Sequence, residues 1–403
     1  MMIKGNDPEN IRVGSTLATD EFAGTKFDFM LSNPPYGKSW ASELKNIKDG
    51  KEVIDPRFVV RLQDYWGEEG EVDATPRSSD GQLLFLMEMV SKMKPLSQSP
   101  LGTRIASVHN GSSLFTGDAG GGESNIRRFI IENDLLEAII QLPNNLFLNT
   151  VFTTCCWLMS YYKEKKRKGK VQLIDAGLLF RKLRKNLGNK NCEFAPEHIR
   201  EIVTVYEEMK EVKREIQPAH ALMQQVGNAV YDDFNLFSEI VDASLKGMKA
   251  KLTAAEKNAL LNAVSWYDEK AEKVVKAELK FSGNKLEELL DFLGCTVDNL
   301  PDYGYYPTEK AGIYLTYESE SELRDTENIP LKENIHDYFL REVKPHVSEA
   351  WINMDATRIG YEISFNKYFY RHKPLRSLEE VTADILALEA ESDGLIKEIL
   401  GDG

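Results

Sequence analysis

Asn33-Pro34-Pro35-Tyr36 places two hydrogen-bond acceptors and an aromatic face on one stiff turn. The Asn33 side-chain oxygen and the Pro34 carbonyl can together receive both N–H hydrogens of a planar amino group. A tyrosine ring can stack on the heterocycle carrying that amine. Neither proline can extend a strand ladder, and each pushes its predecessor towards extended backbone. Gly37 then lets the chain turn away. The plainer reading is an Asx–Pro turn with an anchoring ring. What precedes the motif favours the functional reading.

The residues ahead of it form the element that must position it. Phe27, Phe29, Met30 and Leu31 make an apolar run broken only by Asp28, which predicts a buried strand. In open α/β sheets, ligands sit at the carboxyl ends of strands. Ile11–Leu17 is a further short strand candidate. Gly81–Lys94 has helical spacing and stops at Pro95. Arg104–His109 predicts a strand, and Glu123–Asn133 a helix entered through "GDAGGGES". Leu136–Pro143, Val151–Tyr162 and Lys170–Ala176 predict three more strands, the last two close enough for a hairpin. This alternation implies an α/β class with a largely parallel sheet over residues 1–180.

Residues 181–403 read as a mostly helical C-terminal region. Ile199, Ile202, Tyr206, Met209, Val212 and Ile216 share one helix face. Thr253–Glu256 is a capping box opening a long helix to about Lys280. Pro301–Pro330 reads as a loop-rich acidic connector. Ser377–Leu400 carries a seam of Leu378, Val381, Ile385, Leu388, Leu395 and Ile399. That seam suits packing along another helix, in this chain or in a partner.

Composition bounds the function. The chain has 403 residues, 42% hydrophobic and 28% charged, which fits a globular protein of more than one domain. It shows no apolar run long enough to span a bilayer and no signal peptide. Cys155, Cys156, Cys192 and Cys295 have no metal-ligand spacing and read as reduced thiols, so a cytoplasmic location is expected. The formal charge is −14. A protein gripping DNA alone should present a basic surface, so if DNA is the substrate, a partner is expected to supply much of the grip.

"NPPY" after an apolar strand resembles the catalytic motif of amino-group methyltransferases. "NGSSLFTGDAGGGESNIRRFIIENDLLEAIIQLPNNLFLNT", "LRDTENIPLKENI", "YFLREVKPHVSEAWI" and "IGYEISFNKYFY" resemble the modification subunit of type I restriction–modification systems. The resemblance implies an adenine-specific DNA methyltransferase using S-adenosylmethionine on a flipped-out base. Asn33, Pro34, Pro35 and Tyr36 would be the catalytic residues, and no metal is called for. It implies a specificity subunit as partner, DNA contacted through the complex and, as an optional third partner, a restriction subunit.

The sequence also departs from the family. A glycine-rich loop after a first strand and an acidic residue ending a second one do not precede Asn33. A partial Rossmann-like sheet lacking its first strands is therefore expected. Gly14-Ser15 stands where the family often has Gly-Asp, leaving Ser15 as a weak cofactor contact. Asp28 is no substitute. Phe147 is a candidate for the base pocket, with core packing about as well supported. His109 reads as structural, because methylation of an exocyclic amine needs no strong base before transfer. "GDAGGGES" reads as a loop before a helix capped by Glu123 or Ser124, and Lys163–Lys170 as a solvated turn. A non-catalytic assembly fragment is the alternative to the enzyme, and cofactor binding separates the two.

Overall fold

A five-stranded sheet carries the motif. The computed structural model describes residues 8–148, 150–209, 221–225, 234–247, 251–253, 256–257, 260–261, 273–281, 284–319, 323–369 and 382–388. The sheet is built from β1 (Phe29–Ser32), β2 (Arg104–Asn110), β3 (Leu136–Gln141), β4 (Thr154–Ser160) and β5 (Gln172–Asp175). Their spatial order is β1-β2-β4-β3-β5. β1 runs parallel to β2 and β3 to β5, whereas β4 is antiparallel to both of its neighbours. Four strands therefore point the same way. The expected hairpin between the last two strands does not form, because β4 is inserted between β2 and β3.

Helices α1 (Gln82–Ser91) and α2 (Gly122–Glu132) occupy the positions their spacing predicted. The α2 entry differs in detail. Its N-cap is Gly121, without a side-chain cap. Glu123 instead accepts from the Arg77 N–H at 2.9 Å, and the Ser124 hydroxyl accepts from the Tyr361 N–H at 3.0 Å. Ile11–Leu17, expected as a strand, is irregular backbone with turns. Too few of its side chains find cover: Val13 is 96% exposed.

Beyond residue 180 the chain is more mixed than its helical spacings suggested. Hairpin β6 (Arg181–Leu187) and β7 (Lys190–Glu193) precedes α3 (Pro196–Glu208). α3 carries the first part of the predicted Ile199–Ile216 face; Val212 and Ile216 lie outside the described residues. Ile202, Val205 and Tyr206 pack on a core of Ile140, Leu142, Leu146, Ile174, Ala176 and Cys192. The Thr253 capping box is present, its amide and hydroxyl both reaching Glu256. The predicted long helix is overturned at its far end, because Val275–Lys280 is a strand. There apolar and charged residues alternate, and pairing with Ile313–Tyr317 exploits that period of two. The supposed connector thus supplies strands to a second core, centred on Leu300, Tyr303, Tyr314, Phe339 and Ile352.

The chain divides into units of residues 1–363 and 364–403. In the second, Asn366–Phe369 is one helical turn with Phe365 and Phe369 stacked at 5.5 Å, and 382–388 is helical. Ile385 and Leu388 are exposed there. The remaining seam residues, Leu378, Val381, Leu395 and Ile399, lie outside the described residues. Among the described residues no helix is long and apolar enough to cross a membrane.

Candidate functional site

Asn33 directly follows the last residue of β1, at the edge where β1, β2, β3 and β5 end and β4 begins. Asn33 is exposed, Pro34 is buried and Tyr36 is half-buried. The Tyr36 hydroxyl donates to the Asn33 side-chain oxygen. Among the described residues no donor reaches the Pro34 carbonyl. Gly37 sits at φ +61°, which a residue with a Cβ adopts only under strain.

The loop is held from behind. The Gly81 N–H donates to the Lys38 carbonyl, the Trp40 indole N–H to the Arg77 carbonyl, and the Trp40 amide to the Ser78 carbonyl, all at 3.0 Å. Trp40 is 3% exposed. A Cβ on Gly81 would come within 3.1 Å of its ring. The entry to α1 therefore fixes the far side of the motif. Burial pushes the Tyr36 hydroxyl up to about 12, with Cys156 adding a smaller effect, so it stays a neutral donor at any working pH.

The β3–β4 loop supplies the opposite wall. Phe152 meets Tyr36 edge-on, with ring centroids 5.9 Å apart and planes at 75°. Thr153 donates to Asn144 within that loop at 2.9 Å, and its carbonyl accepts from the Gly111 N–H at the end of β2. Phe152 was not singled out from the sequence. Its place two residues ahead of Thr154, the first residue of β4, was the available signal, but that becomes visible only once β4 lies beside β2. Phe147 packs against the Ile140–Leu146 core, on the face that α3 covers.

His109 is fully buried in β2, edge-on to Trp157 at 6.0 Å, with neither ring nitrogen hydrogen-bonded among the described residues. Burial pushes its pKa down to about 3. It is a neutral interior residue, as its strand position suggested. Burial likewise raises Cys155 to about 12 and Cys156 to about 11, and all four cysteines are free thiols.

The profile of the N-6 DNA Methylase family matches residues 1–239. The chain belongs to that family. Among its curated relatives is the type I restriction enzyme MjaVII methylase subunit of Methanocaldococcus jannaschii, 29% identical over 215 residues. That match covers 53% of this chain and 33% of the relative. Another is the HindI methylase subunit of Haemophilus influenzae, 32% identical over 153 residues, 38% of this chain and 28% of the relative. This N-6 DNA methylase chain thus spans about a third of the length of the curated relatives it matches. A solved type I methyltransferase subunit from Streptococcus thermophilus is 24% identical. The superposition covers 49% of this chain and 36% of that one, with a TM-score of 0.36.

Against the family's cofactor, S-adenosylmethionine, the described residues fit poorly. Ser15 is exposed, and its hydroxyl donates to Glu43 at 3.1 Å. Asp28 is spent on Lys94 at 2.6 Å. The glycines of "GDAGGGES" serve packing: a Cβ on Gly122 would stand 1.8 Å from the Thr75 carbonyl oxygen. Asn125 ties this loop to the Asp73 and Gly120 carbonyls. The described residues around Asn33 thus place two acceptors and an aromatic wall together, and Ser15 and Asp28 are engaged elsewhere.

Proposed function

We propose that this chain carries the amine-binding part of an adenine-specific DNA methyltransferase working in a type I restriction–modification assembly. The observation that carries the reading is the Asn33–Tyr36 loop, at a strand's carboxyl end, with the Pro34 carbonyl free of donors among the described residues and an aromatic wall at Tyr36 and Phe152.

A base inside a duplex cannot offer its amine, so the adenine is swung out into the loop. The Asn33 oxygen has two lone pairs, so it can receive an amine hydrogen while Tyr36 still donates, or after Tyr36 swings away. The Pro34 carbonyl receives the second hydrogen. Tyr36 stacks on the ring. Positive charge would grow on that nitrogen as a methyl group passed to it and the donor's own bond to that methyl broke, and the oriented Asn33 and Pro34 acceptors would stabilise that charge more than they stabilise the ground state. His109, buried and neutral, takes no proton; the surplus proton leaves to water after transfer.

The methyl donor implied by the family is S-adenosylmethionine, which supplies an electrophilic methyl group. The described residues of this chain fit that donor poorly, so its pocket would need residues besides these. Residues 1–180 would be the partial catalytic domain and 181–403 the C-terminal region, with 377–400 the contact to a specificity subunit that reads the sequence. A restriction subunit would join at that level of assembly, in a cytoplasmic complex.

The test is Asn33→Ala in the assembled methyltransferase, followed by labelled-methyl incorporation into DNA. Loss of one oriented acceptor should cost about 100-fold or more in turnover. Wild-type incorporation by the variant, with assembly intact, would sink the reading.

A further inference from the structure

The chain's basic residues are not distributed evenly in their use. In the Lys163–Lys170 run, expected to be solvated, two cations are interior. Lys163 pairs with Asp134. Arg167 pairs with Glu137 at 3.2 Å and lies 3.9 Å over the Tyr206 ring. Hairpin β6–β7 is different. Between Arg181 and Glu193 it carries five cations and a single carboxylate. Glu193 is taken by Arg181, and Lys190 reaches the Leu146 carbonyl. Lys182, Arg184 and Lys185 are exposed, and no carboxylate among the described residues pairs with them. A chain of net charge −14 thus holds three uncommitted cations on one two-stranded ribbon.

The root of that ribbon is fixed to the site. The Cys192 thiol donates to the Asn144 carbonyl at 3.3 Å, and the Asn191 N–H to the Asn145 carbonyl at 3.2 Å. Both carbonyls belong to the β3–β4 loop that presents Phe152 to Tyr36. We propose that the β6–β7 hairpin grips the phosphate backbone of duplex DNA beside the base held at Asn33. This rests on the methyl-transfer reading for its choice of polymer. Screening over about 8–10 Å at physiological salt isolates the ribbon from the acidic surface beyond it, so the local charge and not the net charge governs the contact. A two-stranded β-ribbon has the width to follow a groove, and lysine and arginine on it meet phosphate oxygens.

The test uses the full chain and a fluorescein-labelled 30-base-pair duplex, read by anisotropy between 50 and 200 mM salt. Each phosphate contact adds roughly 0.9 to the slope of log affinity against log salt. The triple variant Lys182→Ala/Arg184→Ala/Lys185→Ala should lose roughly 2.7 of slope, so its affinity falls roughly 40-fold less than wild type across that range. Lys165→Ala/Lys168→Ala/Lys170→Ala removes the same charge elsewhere and should keep the wild-type slope. Equal slopes for wild type and hairpin variant, equal losses in both triple variants, or no duplex binding by the wild-type chain at 50 mM salt would each overturn the proposal. A chain that binds through the hairpin yet transfers no methyl group in its assembly would uphold the grip and refute the enzyme.

Discussion

Tyr36 has two separable parts, a ring and a hydroxyl. The ring faces Phe152 and the hydroxyl holds Asn33. Tyr36→Ala should weaken capture of a flipped base by roughly 1–3 kcal/mol of stacking. Tyr36→Phe keeps the ring and should retain most of that affinity. A fluorescent adenine analogue at the target position would report both. Capture by the Ala variant equal to wild type would show that the ring does not stack. His109 makes a prediction about stability instead. Its folded pKa, about 3, lies below the ordinary value near 6.5, so the unfolded chain binds the proton more readily. Stability is therefore full above about pH 6.5, is lost as pH falls through that value, and stops falling near the folded pKa. By pH 5 the loss should be about 2 kcal/mol. Denaturant unfolding at pH 7 and pH 5 would show it, and His109→Leu should flatten the difference. An unchanged wild-type stability across that interval would refute the assignment.

At the scale of elements, β1 has an unusual side. It lies at the edge of the sheet, and among the described residues nothing pairs with its outer backbone. Phe29 is 70% exposed and Leu31 86%, whereas Met30 and Ser32 align with the buried Ile105 and Ser107. An open edge with bare apolar side chains is a template for another strand. Leu31→Lys should reduce concentration-dependent association of the isolated chain in sedimentation velocity, without lowering its melting temperature. Equal association by the variant would place the sticky surface elsewhere. The places of the elements around the motif were largely legible, because Phe27–Leu31, Gly81–Lys94 and Glu123–Asn133 carry strong local patterns, but the burial expected of the first was wrong, since an edge strand leaves Phe29 and Leu31 exposed. Strand direction was not: "TTCCWLMS" reads the same parallel or antiparallel, and only its pairing with β2 and β3 decides. Nor was the fate of Val275–Lys280, whose Lys, Ala, Glu and Leu suit a helix by propensity but alternate like a strand. The use of Lys163 and Arg167 was hidden too, since Asp134 and Glu137 are distant in sequence.

For the whole molecule, the poor fit of the described residues to S-adenosylmethionine predicts that the isolated chain binds it weakly or not at all. Calorimetric titration should show no micromolar binding; a micromolar isotherm would mean that a pocket forms from residues outside those described. Leu388→Asp, on an exposed face of the 382–388 helix, should reduce co-purification with a specificity subunit while leaving residues 1–363 folded. Undiminished co-purification would move that contact elsewhere. One interior contact also sets a clock. Arg127, 1% exposed, donates to the Ser113 and Thr116 carbonyls, and its Nε reaches the Tyr361 carbonyl across 234 residues of sequence. At roughly 5–20 residues per second, a ribosome needs about 10–50 s to travel from the first partner to the last. During that time α2 can be wound while the place reserved for residue 361 is still filled by water. The sheet that carries Asn33 is thus made well before the strap that closes over its helix.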